Sequence, residues 1–277
     1  MLLGSKSIVA VTALPETMGV AGTKPIVLIT GAARRIGGAI ARDLAARGWH
    51  PIIHYNSSAE EAHALAAEIR ATGGDCDLIQ ADLERAEDLE RVIPECNARI
   101  GRIDCLINNA SLFLYDQLET IERPLWDRHL AANLTAPAFL ARDFSRQLRE
   151  GADGVIINFL DQKIGNLNPD FLSYTISKVG LGGLTQILAM SLAPRIRVCG
   201  IAPGVTLISG KQTQASFEKA ARATPLGRSS TLDDLVRGVN FILDTTSFSG
   251  QVLTIDGGES LTRRRRDVAF DVPSDDD

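Results

Sequence analysis

The chain reads as an α/β protein built on a doubly wound parallel sheet of seven strands, with helices on both faces, in a single domain. Three observations point there. Seven short runs rich in apolar and β-branched residues alternate with longer segments of helical period. The runs are apolar almost throughout, as expected of strands covered on both faces. The first run passes through a glycine turn straight into a helical segment, and parallel strands need such crossovers of a dozen or more residues.

Taken in order, the first strand, 26–30, leads into Gly31, Ala32, Ala33, Arg34, Arg35, Ile36 and Gly37, and a helix is expected over 36–47. The second strand, 50–55, ends in His54, Tyr55, Asn56, Ser57 and Ser58, before a helix over 59–72. The third, 77–80, is followed by Asp82 and Leu83 and a helix over 86–100. The fourth, 104–108, is followed by Asn109, Ala110 and Ser111, and one long helix over 124–149 contains Asn133. The fifth, 154–160, stops at Asp161, and the next helix, 174–192, carries Tyr174 and Lys178. The sixth, 196–201, reaches Pro203 and Gly204, and a helix over 232–243 leads to the seventh, 251–255. Between Thr206 and Arg228 the chain is polar, contains Gly210 and Gly227, and shows no core face until Phe217; it fits a substrate lid. Ligands are expected at the carboxyl edge of such a sheet.

Composition narrows the function. The 277 residues carry a formal net charge of −5, which excludes a broadly cationic nucleic-acid binder. The four cysteines form no C-x-x-C pair and read as reduced core thiols of a cytoplasmic protein, and the four histidines lack metal-ligand spacing. No run approaches the ~20 apolar residues of a membrane span. Residues 1–24 read as an N-terminal extension, 25–262 as the domain, and 263–277, with four consecutive arginines and a Ser-Asp-Asp-Asp end, as a solvated charged tail.

The glycine turn has the context of a dinucleotide site. Gly31 permits the tight turn, Gly37 lets helix and strand approach, and the helix N-terminus offers N–H groups and a positive dipole to a pyrophosphate. A binder of NAD usually has an acid after the second strand for the ribose 2′-OH, and none occurs between Asp43 and Glu60. Asn56, Ser57 and Ser58, with Arg34 across the turn, can hold a 2′-phosphate, so NADP is favoured over NAD.

Tyr174 and Lys178, four apart on a helix, share a face, and the ammonium is expected to lower the tyrosine pKa from about 10. Asp161, thirteen residues upstream at a strand end, is expected to point into the same cleft. Alone, Y-x-x-x-K has little meaning; its weight comes from standing with the glycine turn, Asn109 and Asn133.

Over residues 24–262 the chain resembles the short-chain dehydrogenases/reductases, in Thr30, Gly31 and Gly37, Asp82 and Leu83, Asn108, Asn109 and Ala110, Asn133, Tyr174 and Lys178, Pro203 and Gly204, and Asp256, Gly257 and Gly258. The resemblance implies a Rossmann-type fold, a nicotinamide cofactor, Tyr174 as proton donor, Lys178 on the nicotinamide ribose and Asn133 supporting a water relay. Two departures, Arg35 at the middle glycine of T-G-x-x-x-G-x-G and Asp161 in place of the catalytic serine, resemble the pteridine reductase branch, which includes dihydromonapterin reductases. So do His54 and Tyr55, the run from Asn109 to Phe113, and the run from Asp256 to Thr262; Ser57 departs, where that branch often has an arginine before the serine.

On this resemblance a dihydropterin would lie between the nicotinamide and Phe113, with Asp161, Arg35, Ser111 and Tyr174 around it. The cofactor would be held by Gly31, Arg34, Arg35, Ile36, Gly37, Tyr55, Asn56, Ser57, Ser58, Asp82, Leu83, Asn109, Ala110, Ser111, Tyr174, Lys178, Pro203 and Gly204. Apolar residues left on the outer faces of 124–149 and 174–192, among them Leu181, Leu184 and Leu188, fit the homotetramer usual in the family. The competing reading is a carbonyl reductase of the same fold acting on a 3-oxoacyl, sugar or other ketone, against which Asp161 speaks. A cofactor-sensing protein without turnover fits poorly with intact Asn133, Tyr174 and Lys178.

Overall fold

In the computed structural model, which describes residues 24–149, 151–208 and 212–271, the core is one seven-stranded sheet in the order β3-β2-β1-β4-β5-β6-β7, parallel throughout. The strands are β1 (Ile26–Ile29), β2 (His50–Tyr55), β3 (Asp77–Gln80), β4 (Cys105–Asn108), β5 (Gly154–Phe159), β6 (Ile196–Pro203) and β7 (Val252–Ile255). The helices are α1 (Arg35–Ala46), α2 (Ala59–Ala71), α3 (Ala86–Arg99), α4 (Arg123–Leu130), α5 (Ala136–Gln147), α6 (Leu172–Leu192), α7 (Gln214–Arg222), α8 (Leu232–Asp244) and α9 (Val268–Asp271). The N-terminal extension, Gly210 and the end of the tail fall outside the described residues.

Alternate side chains of each strand feed opposite layers, so the sheet builds two cores from one pattern. Val27 and Ile29 pack with Ile40 and Leu44 of α1, Leu65 and Ile69 of α2 and Leu235, Val239 and Ile242 of α8. Leu28 faces the other way, onto Val92 and Ile93 of α3 and Leu140 and Phe144 of α5. The strand order reverses at β1, which pairs with β2 on one side and β4 on the other, and such a switch point leaves a crevice beyond the strand ends. All four cysteines are free and buried, and no described helix is long and apolar enough to cross a membrane.

Four sequence expectations need correction. The helix expected over 124–149 is two helices joined by a π turn, Ala131–Thr135, because Asn133 is turned inward to bond a loop, which a continuous periodicity does not reveal. The segment 206–228, expected to be polar and without a core face until Phe217, holds α7, whose N-terminus is closed by reciprocal bonds between Thr213 and Ser216. Leu181 is not on an outer face: it is 1% exposed, packed on Leu160 and Ala202, whereas Ile176, Val179, Ile187 and Met190 are the exposed apolar residues of α6. The tail from Arg263 is docked through residue 271, with Arg266 on Asp170 and Val268 buried.

Candidate active site

The glycine turn is held from three sides. Gly31 adopts φ +62°, and its N–H donates to His54 Nδ1 at 3.1 Å. The other ring nitrogen of His54 bonds the Ala81 carbonyl at 3.1 Å, so the ring ties the turn to the end of β3. Burial drives the His54 pKa down to about 4, which keeps the ring neutral with Nδ1 free to accept. Thr30 Oγ1 accepts from the N–H groups of Asn109 and Ala110, and Asn109 Nδ2 donates to the Thr30 and Gly31 carbonyls. A Cβ at Gly37 would stand 2.7 Å from Asn109 Nδ2 and from the Gly31 oxygen, so glycine is required for this approach.

Arg35 has φ +57°, so the backbone keeps the left-handed conformation that suits glycine while carrying a side chain. Its guanidinium donates to the Ile208 carbonyl at 2.9 Å, joining the glycine turn to the segment after β6. Arg34 is exposed and 3.5 Å from Glu61; Asn56 and Ser57 are also exposed, and Tyr55, Ser58 and Ile36 are half-buried. Asp82 caps its own turn by accepting from Glu84 N–H, and Leu83 is buried between α3 and the π turn.

The chemistry-bearing side chains meet where β5 ends. Tyr174 Oη donates to Asp161 Oδ2 at 2.7 Å, and Asp161 Oδ1 accepts from Lys163 N–H at 2.9 Å, which caps the 3₁₀ turn Gln162–Gly165. Lys178 Nζ donates to the Phe159 carbonyl at 2.8 Å and lies 5.7 Å from the Tyr174 ring centroid. Burial lowers Lys178 to about 8 and shifts Asp161 upward from its ordinary value. Tyr174 is raised well above 10, by burial first and then by the Asp161 charge and hydrogen bond. The expectation that Lys178 lowers it is thus reversed, because the carboxylate is bonded to the phenol while the ammonium faces a carbonyl.

Asn133 exchanges hydrogen bonds with the backbone of Leu112, accepting at 2.8 Å and donating at 2.9 Å, and also donates to Ser177 Oγ. It thereby holds the loop after β4 against α6. Phe113, on that loop, stacks on Phe171 at 4.3 Å and meets the Tyr174 ring edge-on, so one face is covered by a protein ring. Ser111 is exposed. Gly204 N–H donates to the Ile255 carbonyl, and a Cβ at Gly204 would crowd Asp256 at 2.8 Å.

Several residues at this site carry no motif in the sequence. Asp116, Ser173 and His129 form a buried chain: Ser173 Oγ donates to Asp116, His129 Nδ1 bonds Ser173 Oγ at 2.6 Å, and His129 Nε2 accepts from Leu114 N–H. Asp116 also accepts from Ser173 N–H, which starts α6 two residues earlier than expected. Lys163 and Glu259 are buried charges beside Asp161, and burial lifts Glu259 to about 7. Spacing gives no signal for these contacts, since Gln162 meets Glu259 across 97 residues.

Known proteins resemble the chain in the same sense. The sequence pattern of the short chain dehydrogenase family matches residues 25–219. A 3-oxoacyl-[acyl-carrier-protein] reductase of Staphylococcus aureus is 32% identical over 237 residues, covering 83% of this chain and 96% of that protein. The crystal structure of FolM alternative dihydrofolate reductase 1 from Brucella canis, complexed with NADP, superposes with a TM-score of 0.81 at 43% identity, covering 86% of this chain and 95% of that one. Its Brucella suis counterpart, also in complex with NADP, gives 0.83 at 44%, covering 86% and 96%. The protein is an oxidoreductase that belongs to the short-chain dehydrogenase family.

Proposed function

We propose that the chain is an NADPH-dependent reductase of a pterin, converting a dihydropterin to the tetrahydro form. The observation that carries this reading is the 2.7 Å bond from Tyr174 to the half-buried Asp161, a carboxylate where ketone reductases of the family place a hydroxyl. A carboxylate can accept the N–H groups of an aminopyrimidine ring. The likeness to two NADP complexes of alternative dihydrofolate reductases supports it.

The residues present suit NADP. Gly31 and Gly37 keep the turn open to a pyrophosphate, and Asn56, Ser57 and Ser58 follow the second strand with no acid between Asp43 and Glu60, while Arg34, 3.5 Å from Glu61, would turn to a 2′-phosphate. Arg35, Ile36 and Tyr55 would complete that end, Asp82 and Leu83 the next, and Asn109, Ala110, Ser111, Tyr174, Lys178, Pro203 and Gly204 the nicotinamide end. When bound, NADPH supplies the hydride. The chain's own task is the proton. Beside an ionised Asp161 the phenol is a poor acid; when the carboxyl takes up a proton, which burial favours, the phenol can release its own proton to a ring nitrogen while taking one from the carboxyl. Arg35, Ser111 and Phe113 would contact the pterin, and Asn133 would hold the loop that carries two of them. Reduction therefore declines as pH rises through the elevated Asp161 pKa.

The test is NADPH oxidation with dihydropterins beside a ketone panel, for the parent chain and Asp161→Ser. Pterin turnover falling at least ~100-fold in the variant is expected. Turnover of ketones alone, unharmed by the substitution, would establish the second reading, a 3-oxoacyl, sugar or other carbonyl reductase, which the 32% identical 3-oxoacyl reductase favours. The reading also places the protein in the cytoplasm as a homotetramer, supported by exposed Phe139 on α5 and Ile187 and Met190 on α6.

A further inference from the structure

The segment that follows β7 does more than close the chain. After the 3₁₀ turn Glu259–Leu261, the segment from 263 packs on the turn that follows β5 and on the residues just before α6. Arg266 forms a two-pronged pair with Asp170, its Nε 2.8 Å from Oδ2 and one terminal nitrogen 2.8 Å from Oδ1, and Asp170 is 1% exposed. Asp267 N–H donates to the same carboxylate at 2.7 Å. Asp267 Oδ2 in turn accepts from Lys163 Nζ at 2.7 Å, and Lys163 is 2% exposed. Phe270 stacks on Phe171 at 6.0 Å and meets Tyr115 edge-on, continuing the stack that runs through Phe113 to Tyr174.

Lys163 is the link to the chemistry. Its N–H donates to Asp161 Oδ1, and its buried ammonium acts on the Asp161 charge. A buried cation needs a partner, and Asp267, with Asn168 Oδ1 at 2.9 Å, provides one. We propose that Asp267 is a positioning residue for the Asp161–Tyr174 pair, acting through Lys163, and that Arg266 and Phe270 clasp the C-terminal segment over the site so that it can do so. The inference rests on Asp161 and Tyr174 being the proton-transfer pair. The charged or titratable groups facing Asp161 are Lys163 on its own turn, Tyr174 and Lys178 on α6, and Glu259 after β7, with Asp267 behind Lys163.

The direction of each effect follows from charge. Without the Asp267 anion, Lys163 acts unopposed on Asp161, which then loses its proton at lower pH. Without the Lys163 cation, Asp161 keeps its proton to higher pH. The experiment records kcat/KM against pH for Asp267→Asn and Lys163→Gln in the full chain, with Arg265→Ala as a control on the same segment, using whichever dihydropterin or ketone turns over. The alkaline decline moves down by about one pH unit in Asp267→Asn, a roughly tenfold loss at fixed pH on that limb, and moves up in Lys163→Gln. Asp267→Glu restores the parent profile in part. A readout free of turnover is acetylation by acetic anhydride followed by mass spectrometry: Lys163 is protected in the parent chain and labels like the exposed Lys24 in Asp267→Asn. Loss of folding would produce the same sign in both variants, so opposite shifts exclude it. Unchanged profiles with Lys163 still protected in Asp267→Asn would overturn the proposal. A chain that reduces only ketones would overturn the pterin reading and leave this test intact.

Discussion

His54 shows how one buried side chain sets a local geometry. It accepts from Gly31 N–H only while neutral, and burial holds its pKa near 4 against 6.5 in an unfolded chain. The unfolded state therefore binds the proton first, so this contribution is complete above about pH 6.5 and is lost as pH falls towards 4, on the order of 3 kcal/mol across the window. Urea unfolding at pH 7 and pH 5 should show about 2 kcal/mol of that loss in the parent chain and a flatter dependence in His54→Gln. An equal pH slope in the variant would remove His54 from the explanation. Tyr174 is governed by the same principle with the opposite partner, since the group bonded to the phenol is an anion. Residue identity put Lys178 beside Tyr174, but only atomic positions showed that its ammonium faces the Phe159 carbonyl.

The π turn Ala131–Thr135 carries the loop that frames the substrate end. Its inward Asn133 satisfies both the N–H and the carbonyl of Leu112. Asn133→Ala leaves that buried N–H without a partner, at a cost of about 1–3 kcal/mol. It also frees Phe113 and Ser111 to move. We expect the melting temperature to fall modestly, NADPH affinity to hold within about threefold, and the substrate KM to rise at least ~10-fold; calorimetry and steady-state kinetics separate these. An unchanged KM would mean that the loop is positioned by His129 and Asp116 alone. The strands and most helices were legible in the sequence because their apolar periods are local. The break at Asn133 was not, because its cause is a loop twenty-one residues away.

Across the whole molecule, the outer faces of α5 and α6 expose Phe139, Ile176, Val179, Ile187 and Met190, the last at 76%. A proposed homotetramer would cover part of this surface. Sedimentation velocity should show one species above monomer mass for the parent chain and a shift towards monomer for Ile187→Glu with Met190→Glu. A parent chain that sediments as a monomer would refute the assembly. The doubly wound sheet and the glycine turn were determined by the sequence alone, because strand and helix periods and βα-turn chemistry are short-range properties written in neighbouring residues, and the sequence picked out Asp161, Tyr174 and Lys178 as candidates through their resemblance to a family. The C-terminal clasp, the inward turn of Leu181, the pairing of Lys163 with Asp267 and the sign of the Tyr174 shift were decided only by the tertiary structure. Each depends on which charges and apolar surfaces are brought together from distant parts of the chain, and on how much water is excluded when they meet.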